Sequence, residues 1–237
     1  MSPKILVLTP TYEERENLRP FVAALWRTLP AADLLVIDDG SPDGTGALAD
    51  ELAAADARIG VRHRPRKLGL GTAYREGFLH ALAEGYDLIF QMDADRSHDP
   101  RHLPAMLRAV AHGADVVLGS RAVAGGGVVG WGLGRHVLSR GGSLYARTIL
   151  GLPLRDLTTG YRAFTRRALE IIDVGSLGSN GYAFQIETAY RAWQRGLHVI
   201  EVPIVFVDRR AGRSKLGRTV LAEAVLMPWR LRWPASW

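Results

Sequence analysis

The chain has 237 residues, 47% of them apolar and 23% charged, which is the composition of a folded globular protein rather than a disordered one. A formal net charge of +6 favours anionic partners such as phosphorylated ligands, nucleic acid or anionic lipid. The absence of cysteine excludes a disulfide framework and thiolate metal sites, and no apolar run reaches the roughly 18 residues of a membrane-spanning helix.

The first half of the chain alternates between short apolar runs and longer helical patterns. The predicted strands are residues 4–8, 34–40, 59–63, 87–93 and 115–119, and the predicted helices are 15–28, 45–55, 72–83 and 100–111. This alternation predicts an α/β fold with a mainly parallel central sheet and helices on both faces. Ligands of such sheets bind at the carboxyl ends of the strands, where the polar motifs of this sequence fall.

The alternation stops after residue 121. The glycine-rich segment 124–134 is expected to be mobile, and residues 154–164 are expected to be irregular. The remaining predicted elements are helices at 135–150, 165–172 and 181–195 and a strand at 198–207. The simplest organisation is one catalytic domain, residues 1–215, followed by a C-terminal extension, residues 216–237.

Two carboxylates follow the predicted strand that ends near residue 93. Asp93 and Asp95 are separated by one residue, so on a strand they point to the same side. Their oxygen ligands suit Mg²⁺ or Mn²⁺, which proteins hold with one or two carboxylates plus substrate phosphates. The alternative is that these residues cap the next helix, as Ser97 and Asp99 could also do. His98 is expected to have a core or helix-entry role rather than to bind metal.

Two other strand ends carry turn-forming residues. In VIDDGS (residues 36–41) the carboxylates could bind a ribose or a base edge, or could simply stabilise a turn. The segment KLGLGT (residues 67–72) lacks the third glycine of the dinucleotide-binding motif and the lysine position of the P-loop, which disfavours both classes. A glycine-rich turn with a lysine before a helix could still bind an anion.

Basic residues recur at predicted element ends and in loops. Each of them alone fits a solvated surface, but as a set facing an acidic metal site they suit a clamp on a pyrophosphate. They are Arg121, Arg135, Arg209, Arg213 and Lys215. No nucleophile motif such as G-x-S-x-G or H-E-x-x-H is present, so the chemistry would depend on substrate groups and a metal.

Together these motifs resemble the polyprenol- or dolichol-phosphate mannosyltransferases, inverting glycosyltransferases of family 2 with the GT-A fold. The resemblance covers nearly the whole chain. It rests on PTYEERENL (10–18), VIDDGSPDGT (36–45), RKLGLGTAYREGF (66–78), QMDADRSHDP (91–100), GSR (119–121), SRGGSLYAR (139–147), DLTTGYRAF (156–164), GYAFQIE (181–187) and DRRAGRSK (208–215).

The resemblance implies a role for each matching position. The donor nucleotide sugar would contact Pro10, Tyr12, Glu13, Asp38, Asp39, Lys67, Gly71, Asp93, Ala94, Gln185, Glu187, Arg209 and Lys215. Asp93 and Asp95 would hold Mg²⁺ or Mn²⁺, and Ser97 stands where the family often has a glutamine ligand. Asp95 and Arg121 would be catalytic. Arg121, Arg135 and Ser139 would bind the acceptor phosphate.

The implied reaction moves mannose from GDP-mannose to a polyprenyl phosphate with inversion, giving a β-linked product. One alternative is a polyprenyl-phosphate glucosyltransferase that uses UDP-glucose. A nucleotidyltransferase would need a triphosphate-cradling loop that the sequence lacks. A non-catalytic module that binds membrane or RNA would not need the two aspartates, and no aromatic-rich RNA signature is present, so nucleic acid is not an expected partner.

The expected location is the cytoplasmic face of a membrane, because the implied acceptor is a lipid. The C-terminal sequence MPWRLRWPASW (residues 227–237) combines tryptophan and arginine, which suits contact with lipid headgroups. The alternative is that Trp229, Trp233 and Trp237 pack onto the domain. Val128, Val129 and Trp131 could also enter lipid, and a separate membrane protein could anchor the chain.

Overall fold

Residues 3–208 and 218–233 are described by a computed structural model of the chain. The strands are β1 Ile5–Thr11, β2 Asp33–Asp38, β3 Ile59–His63, β4 Leu88–Gln91, β5 Val116–Ser120, β6 Gly127–Val129, β7 Arg162–Thr165, β8 Val199–Pro203 and β9 Val205–Val207. The α-helices are α1 Arg15–Thr28, α2 Thr45–Ala55, α3 Leu70–Ala83, α4 Leu103–Ala111, α5 Leu133–Leu150, α6 Arg166–Ile172, α7 Gly181–Gln194 and α8 Arg218–Arg232. Short 3₁₀ helices span Pro100–His102 and Val174–Ser176.

Seven strands form one sheet in the order β3-β2-β1-β4-β7-β5-β8. All neighbouring pairs are parallel except those of β7, which runs antiparallel between β4 and β5. The predicted α/β fold with a mainly parallel sheet is therefore confirmed. The expectation that residues 154–164 are irregular was wrong at its end, where β7 begins at Arg162.

The sheet is covered on both faces. Along β1, Leu6 and Leu8 face a core shared with α3, α5, α6 and α7, while Ile5 and Val7 face a second core shared with α1, α2 and α4. This explains why the strands read as continuous apolar runs, since both faces of a parallel sheet are buried.

Three predictions made along the chain need correction. The segment 124–134, expected to be mobile, contains β6, which pairs in parallel with β9 as a second small sheet. The strand expected at 198–207 is divided into β8 and β9. The strand expected at 87–93 ends earlier, since β4 stops at Gln91 and the two aspartates lie in the loop beyond it. Strand alternation therefore does not orient Asp93 and Asp95; the loop does.

Helix α8 packs against α5 and α7. Among the described residues no helix has the length and apolar character needed to cross a bilayer. The predicted domain boundary after residue 215 falls in the segment 209–217, outside the described residues, and stays a prediction.

Candidate active site

A cleft of about 470 Å³ lies at the carboxyl ends of the parallel strands. Segments that follow β1, β2, β4 and β5 meet there, as the position of the polar motifs predicted. The predicted site residues that line it are Pro10, Tyr12, Asp39, Lys67, Asp93, Ala94, Asp95, Ser97, Arg121, Arg135 and Gln185.

Asp93 and Asp95, the two carboxylates predicted to bind metal, each have defined protein contacts. The Tyr74 hydroxyl donates to Asp93 Oδ1 over 3.1 Å, and the Asp93 side chain remains 34% exposed. Asp95 is buried, and its Oδ1 accepts from the Ser97 amide at 3.0 Å and from the Ser97 hydroxyl at 2.5 Å. Burial and the neighbouring Asp93 raise the pKa of Tyr74 well above its ordinary value, so this hydroxyl keeps its proton.

The donor set fits a divalent cation that is held jointly with a substrate. In residues 3–208 and 218–233 no group of three or more His, Asp or Glu side chains could form a complete protein site. Two carboxylates on a cleft wall suit Mg²⁺ or Mn²⁺, which takes its other ligands from water and phosphate. The Ser97 hydroxyl donates a hydrogen bond to Asp95, so Ser97 supports this carboxylate, and its direct coordination of metal stays a prediction.

Asp38, a predicted donor contact at the end of β2, has structural partners instead. Asp38 is buried and accepts from Thr11 Oγ1 at 3.0 Å and from Ser41 at 2.5 Å, so it stabilises the turn. Asp38 and Glu13 are not among the residues that line the cleft. Asp39 does line the cleft. Burial raises its pKa above the ordinary value, although the Arg64 guanidinium 3.0 Å away acts in the opposite direction.

At Gly71, the glycine-rich start of α3 packs against protein rather than opening to the cleft. The Gly71 amide donates to Asn180 Oδ1 over 2.9 Å, and a Cβ at this position would lie 2.4 Å from the carbonyl oxygen of Ser179. Gly71 is therefore required by this close backbone approach, and the prediction that it contacts the donor is not supported. Lys67 is exposed at the cleft, with Nζ 4.4 Å from the centre of the Tyr12 ring.

The two basic residues predicted to bind the acceptor phosphate each have an acidic partner. Arg121 forms a bidentate pair with Asp156, Nε and Nη2 each lying 2.7 Å from a carboxylate oxygen. Burial opposes charge on both groups, but the pair outweighs it, raising the pKa of Arg121 and lowering that of Asp156. Arg135 contacts Asp208 at 2.6 Å and stacks on Trp131 at 4.3 Å.

Two predicted donor contacts on α7, Gln185 and Glu187, have different surroundings. Gln185 is buried and lines the cleft, and both polar atoms of its amide lack a hydrogen-bond partner within the described protein. Glu187 is absent from the cleft wall. Its carboxylate accepts from the Ser179 amide and hydroxyl and lies 2.6 Å from Arg191, so the prediction that it contacts the sugar is not supported.

Sequence reasoning did not predict several residues of the cleft wall as site residues. Most of them come from loops or from apolar positions, where neither spacing nor charge distinguishes a site residue from a core residue. They are Thr11, Glu14, Gly69, Leu70, His98, Trp131, Thr158, Gly160, Asn180, Gly181, Tyr182 and Phe206. Arg209 and Lys215, predicted to contact the donor, lie outside the described residues.

A second cavity, of about 260 Å³, adjoins the cleft between α5 and α8. The two share five wall residues, Arg121, Trp131, Arg135, Thr158 and Tyr182. The rest of the second wall is mainly apolar and includes Leu138, Tyr145, Ile186 and Val225. Ser139, predicted to bind the acceptor phosphate, lines this cavity rather than the cleft.

Comparison with known proteins identifies the family. The family model described as Glycosyl transferase family 2 matches residues 6–172. The chain belongs to glycosyltransferase family 2. It is 48% identical to the polyprenol monophosphomannose synthase of Mycolicibacterium smegmatis, over 97% of this chain and 88% of that protein. It is 45% identical to the undecaprenyl-phosphate mannosyltransferase of Micrococcus luteus, over 99% of this chain and 96% of that protein.

The expected resemblance to polyprenol-phosphate mannosyltransferases is thus confirmed. Among solved structures, this family 2 chain is similar to glucosyl-3-phosphoglycerate synthase from Mycobacterium tuberculosis, with a TM-score of 0.69 and 20% identity over 96% of this chain and 81% of that one. A complex of that enzyme with Mn²⁺, uridine diphosphate and glucosyl-3-phosphoglycerate also gives a TM-score of 0.69, at 21% identity over 98% and 80% of the two chains. These likenesses show the fold.

Proposed function

We propose that this chain transfers mannose from GDP-mannose to a polyprenyl phosphate, giving a β-linked polyprenyl phosphomannose with release of GDP. The observation that carries the proposal is the junction of two unlike spaces. A cleft with an acidic pair and basic side chains opens into a mainly apolar cavity, and the arginines lie on the shared wall. A nucleotide sugar suits the first space and a lipid suits the second. The names of the two mannosyltransferase relatives support the choice of sugar and acceptor class.

The reaction needs no protein nucleophile and no general base. A phosphate monoester has a second pKa near 6, so its oxygen is largely ionised at neutral pH. That oxygen attacks the anomeric carbon as the bond from this carbon to the donor diphosphate breaks, and a single in-line displacement inverts the configuration. The protein contributes alignment of the two substrates and neutralisation of the charge on the leaving diphosphate.

Asp93 and Asp95 would hold the divalent cation against the donor diphosphate. When bound, Mg²⁺ or Mn²⁺ would supply positive charge to the leaving group. Ser97 keeps Asp95 oriented through its amide and its hydroxyl. Lys67 and Tyr12 stand on the same wall and suit the nucleotide part of the donor.

Arg121, Arg135 and Ser139 would bind the acceptor phosphate. Asp156 fixes the Arg121 guanidinium at the boundary of the two spaces, and Trp131 supports Arg135. A phosphate in this place would direct its polyprenyl chain into the apolar cavity. Tyr145 and Val225 line that cavity and are themselves exposed, so the lipid could enter between α5 and α8.

The exposed faces of α5 and α8 would lie on the membrane surface. Large apolar side chains are exposed there: Leu133, Val137, Leu138, Leu144, Tyr145, Val225, Leu226, Trp229 and Trp233. Helix α5 contains no acidic residue and has three arginines, a composition that favours anionic headgroups. The two helices are joined by Tyr145, whose hydroxyl donates to the Val225 carbonyl and accepts from the Trp229 ring over 2.7 Å.

The test is an assay with radiolabelled GDP-mannose and a polyprenyl phosphate, with and without EDTA. We expect labelled polyprenyl phosphomannose that disappears with EDTA and returns when Mg²⁺ or Mn²⁺ is added. UDP-glucose in parallel tests the glucosyltransferase alternative. Transfer from UDP-glucose but not from GDP-mannose would refute the proposed donor, and transfer that persists in EDTA would refute the role of the metal.

A further inference from the structure

His98 lies beside the acidic loop and has no assigned role in the reaction. Its side chain is 2% exposed. The ring stacks on Tyr161 at 5.0 Å between centroids and meets the edge of Phe206 at 5.8 Å, so its orientation is fixed. A Cβ on Gly160 would lie 3.4 Å from His98 Cε1, which places this edge of the ring at the cleft wall.

The main polar contact of His98 is with the backbone of Asp93. The Asp93 amide donates to His98 Nδ1 over 3.0 Å. A backbone N–H can only donate, so Nδ1 acts as the acceptor and the neutral ring carries its proton on Nε2. Nδ1 also lies 3.8 Å from Asp93 Oδ2, beyond hydrogen-bond distance.

The hydrogen bond from the Asp93 amide to His98 follows directly after the last hydrogen bond between this segment and β1. The Met92 amide still donates to the Leu8 carbonyl of β1 over 3.1 Å. The next amide along the chain is that of Asp93, and it turns to His98. The acceptor for the Asp93 amide is therefore the His98 imidazole and not a backbone carbonyl of the sheet.

We propose that His98 is a positioning residue that fixes the Asp93 backbone, so that its carboxylate is preorganised for a divalent cation bound with a nucleoside diphosphate. The inference rests on the proposed metal role of Asp93. Tyr74 holds the carboxylate itself at 3.1 Å, so His98 and Tyr74 restrain the same residue from the backbone and from the side chain. Such outer contacts typically change metal affinity by about 10–100-fold when removed.

The matched pair of variants is His98→Asn and His98→Leu. The two new side chains have nearly the same shape, and both remove the ring that stacks on Tyr161. Only asparagine places an acceptor, Oδ1, close to the position of Nδ1. A comparison of the two therefore isolates the hydrogen bond to the Asp93 amide from the loss of packing.

The readout is Mn²⁺ affinity in the presence of GDP, followed by electron paramagnetic resonance of free Mn²⁺, with no acceptor and no sugar donor. We expect His98→Leu to weaken Mn²⁺ binding by about 10–100-fold and His98→Asn to stay within a few-fold of the wild type. Both thermal unfolding midpoints should fall, because both variants lose the same aromatic contacts.

Equal Mn²⁺ affinity in the two variants, whether normal or weakened, would overturn the positioning role, since the acceptor would then make no difference. If the wild-type protein with GDP binds no Mn²⁺, the metal proposal and this inference both fail. If Mn²⁺ binding follows the expected order but no mannose is transferred, the inference stands and the proposed sugar or acceptor is wrong.

Discussion

Asp95 is buried at the cleft wall, where a carboxylate is costly unless something compensates its charge. The two hydrogen bonds from Ser97 orient Oδ1, and a divalent cation would supply the compensating charge. Loss of the charge at Asp95 should abolish a metal site but should matter little for a carboxylate that only caps a helix. Substitution of Asp95 therefore distinguishes the two roles.

Asp95→Asn should reduce mannose transfer by at least about 100-fold while the chain stays folded, because the amide keeps the shape and loses the charge that attracts metal. The control is Asp99→Asn, four positions along the chain. Asp99 caps the following 3₁₀ helix by accepting from the Arg101 amide, and an asparagine can accept the same hydrogen bond. The measurements are the transfer rate and the thermal midpoint. Near-normal transfer by Asp95→Asn would refute the metal role.

The pair of Arg121 and Asp156 joins the end of β5 to the loop that precedes β7, and both side chains are almost fully buried. The folded pKa of Asp156 is lowered, so its contribution to stability is present above the ordinary value near 3.8 and is lost as the pH falls through the folded value. This sets the expected response to acid.

Asp156→Asn should lower the free energy of unfolding at pH 7 by about 3 kcal/mol, because Arg121 would keep a buried charge without its counter-ion. The variant should also lose less stability than the wild type as the pH falls below the ordinary Asp value near 3.8, since the acid-sensitive group is gone. Urea unfolding at several pH values measures both. Parallel stability curves for the two proteins would contradict the assignment.

At the scale of elements, length decided what the sequence could predict. The strands of the first half are clear because each carries a run of apolar residues buried on both faces. The four-residue β7 and three-residue β6 and β9 are too short for a periodic signal. In β7 a charged residue also occupies a position where an apolar one would be expected. Arg162 is fully buried and donates to the carbonyls of Leu157, Thr159 and Gln185.

The same limit applied to the site. Strand ends converge by topology, so the motifs after β1, β2, β4 and β5 could be brought together from sequence. The direction in which a single side chain points could not be predicted from the sequence. On α7, positions two apart point to different sides of the helix, so Gln185 faces the cleft and Glu187 faces Ser179 and Arg191. Gly71, which suits a phosphate loop by composition, meets the backbone at Ser179.

Gly71→Ala should therefore lower stability, because the added Cβ would lie 2.4 Å from the Ser179 carbonyl oxygen and force α3 away from the start of α7. The expected loss is about 1–3 kcal/mol, the usual cost of overpacking. The control is Gly134→Ala on α5, where nothing lies within 4 Å of the new atom and a gain of up to about 1 kcal/mol is expected. Unchanged stability in Gly71→Ala, measured by urea unfolding, would contradict this packing.

At the scale of the whole molecule, the cleft with its charged side chains, the apolar cavity and the exposed faces of α5 and α8 follow one another in space. The arrangement would let a lipid phosphate reach the cleft while its chain stays in or near the membrane. Apolar side chains as exposed as Leu133 at 85% and Val137 at 71% are costly in water, and a bilayer surface would cover them.

The double substitution Leu133→Ser and Val137→Ser should weaken binding to vesicles of phosphatidylglycerol and phosphatidylcholine by at least about tenfold, since two side chains would no longer enter the apolar region. The matched control is Leu79→Ser on α3, which is 46% exposed and lies outside this surface. Cosedimentation measures the binding, and added salt should weaken it for every variant because the arginines contribute through charge. Transfer to a vesicle-embedded acceptor should fall more than transfer to a short, water-soluble polyprenyl phosphate. If both substitution sets lower vesicle binding equally, α5 is not the membrane-facing element.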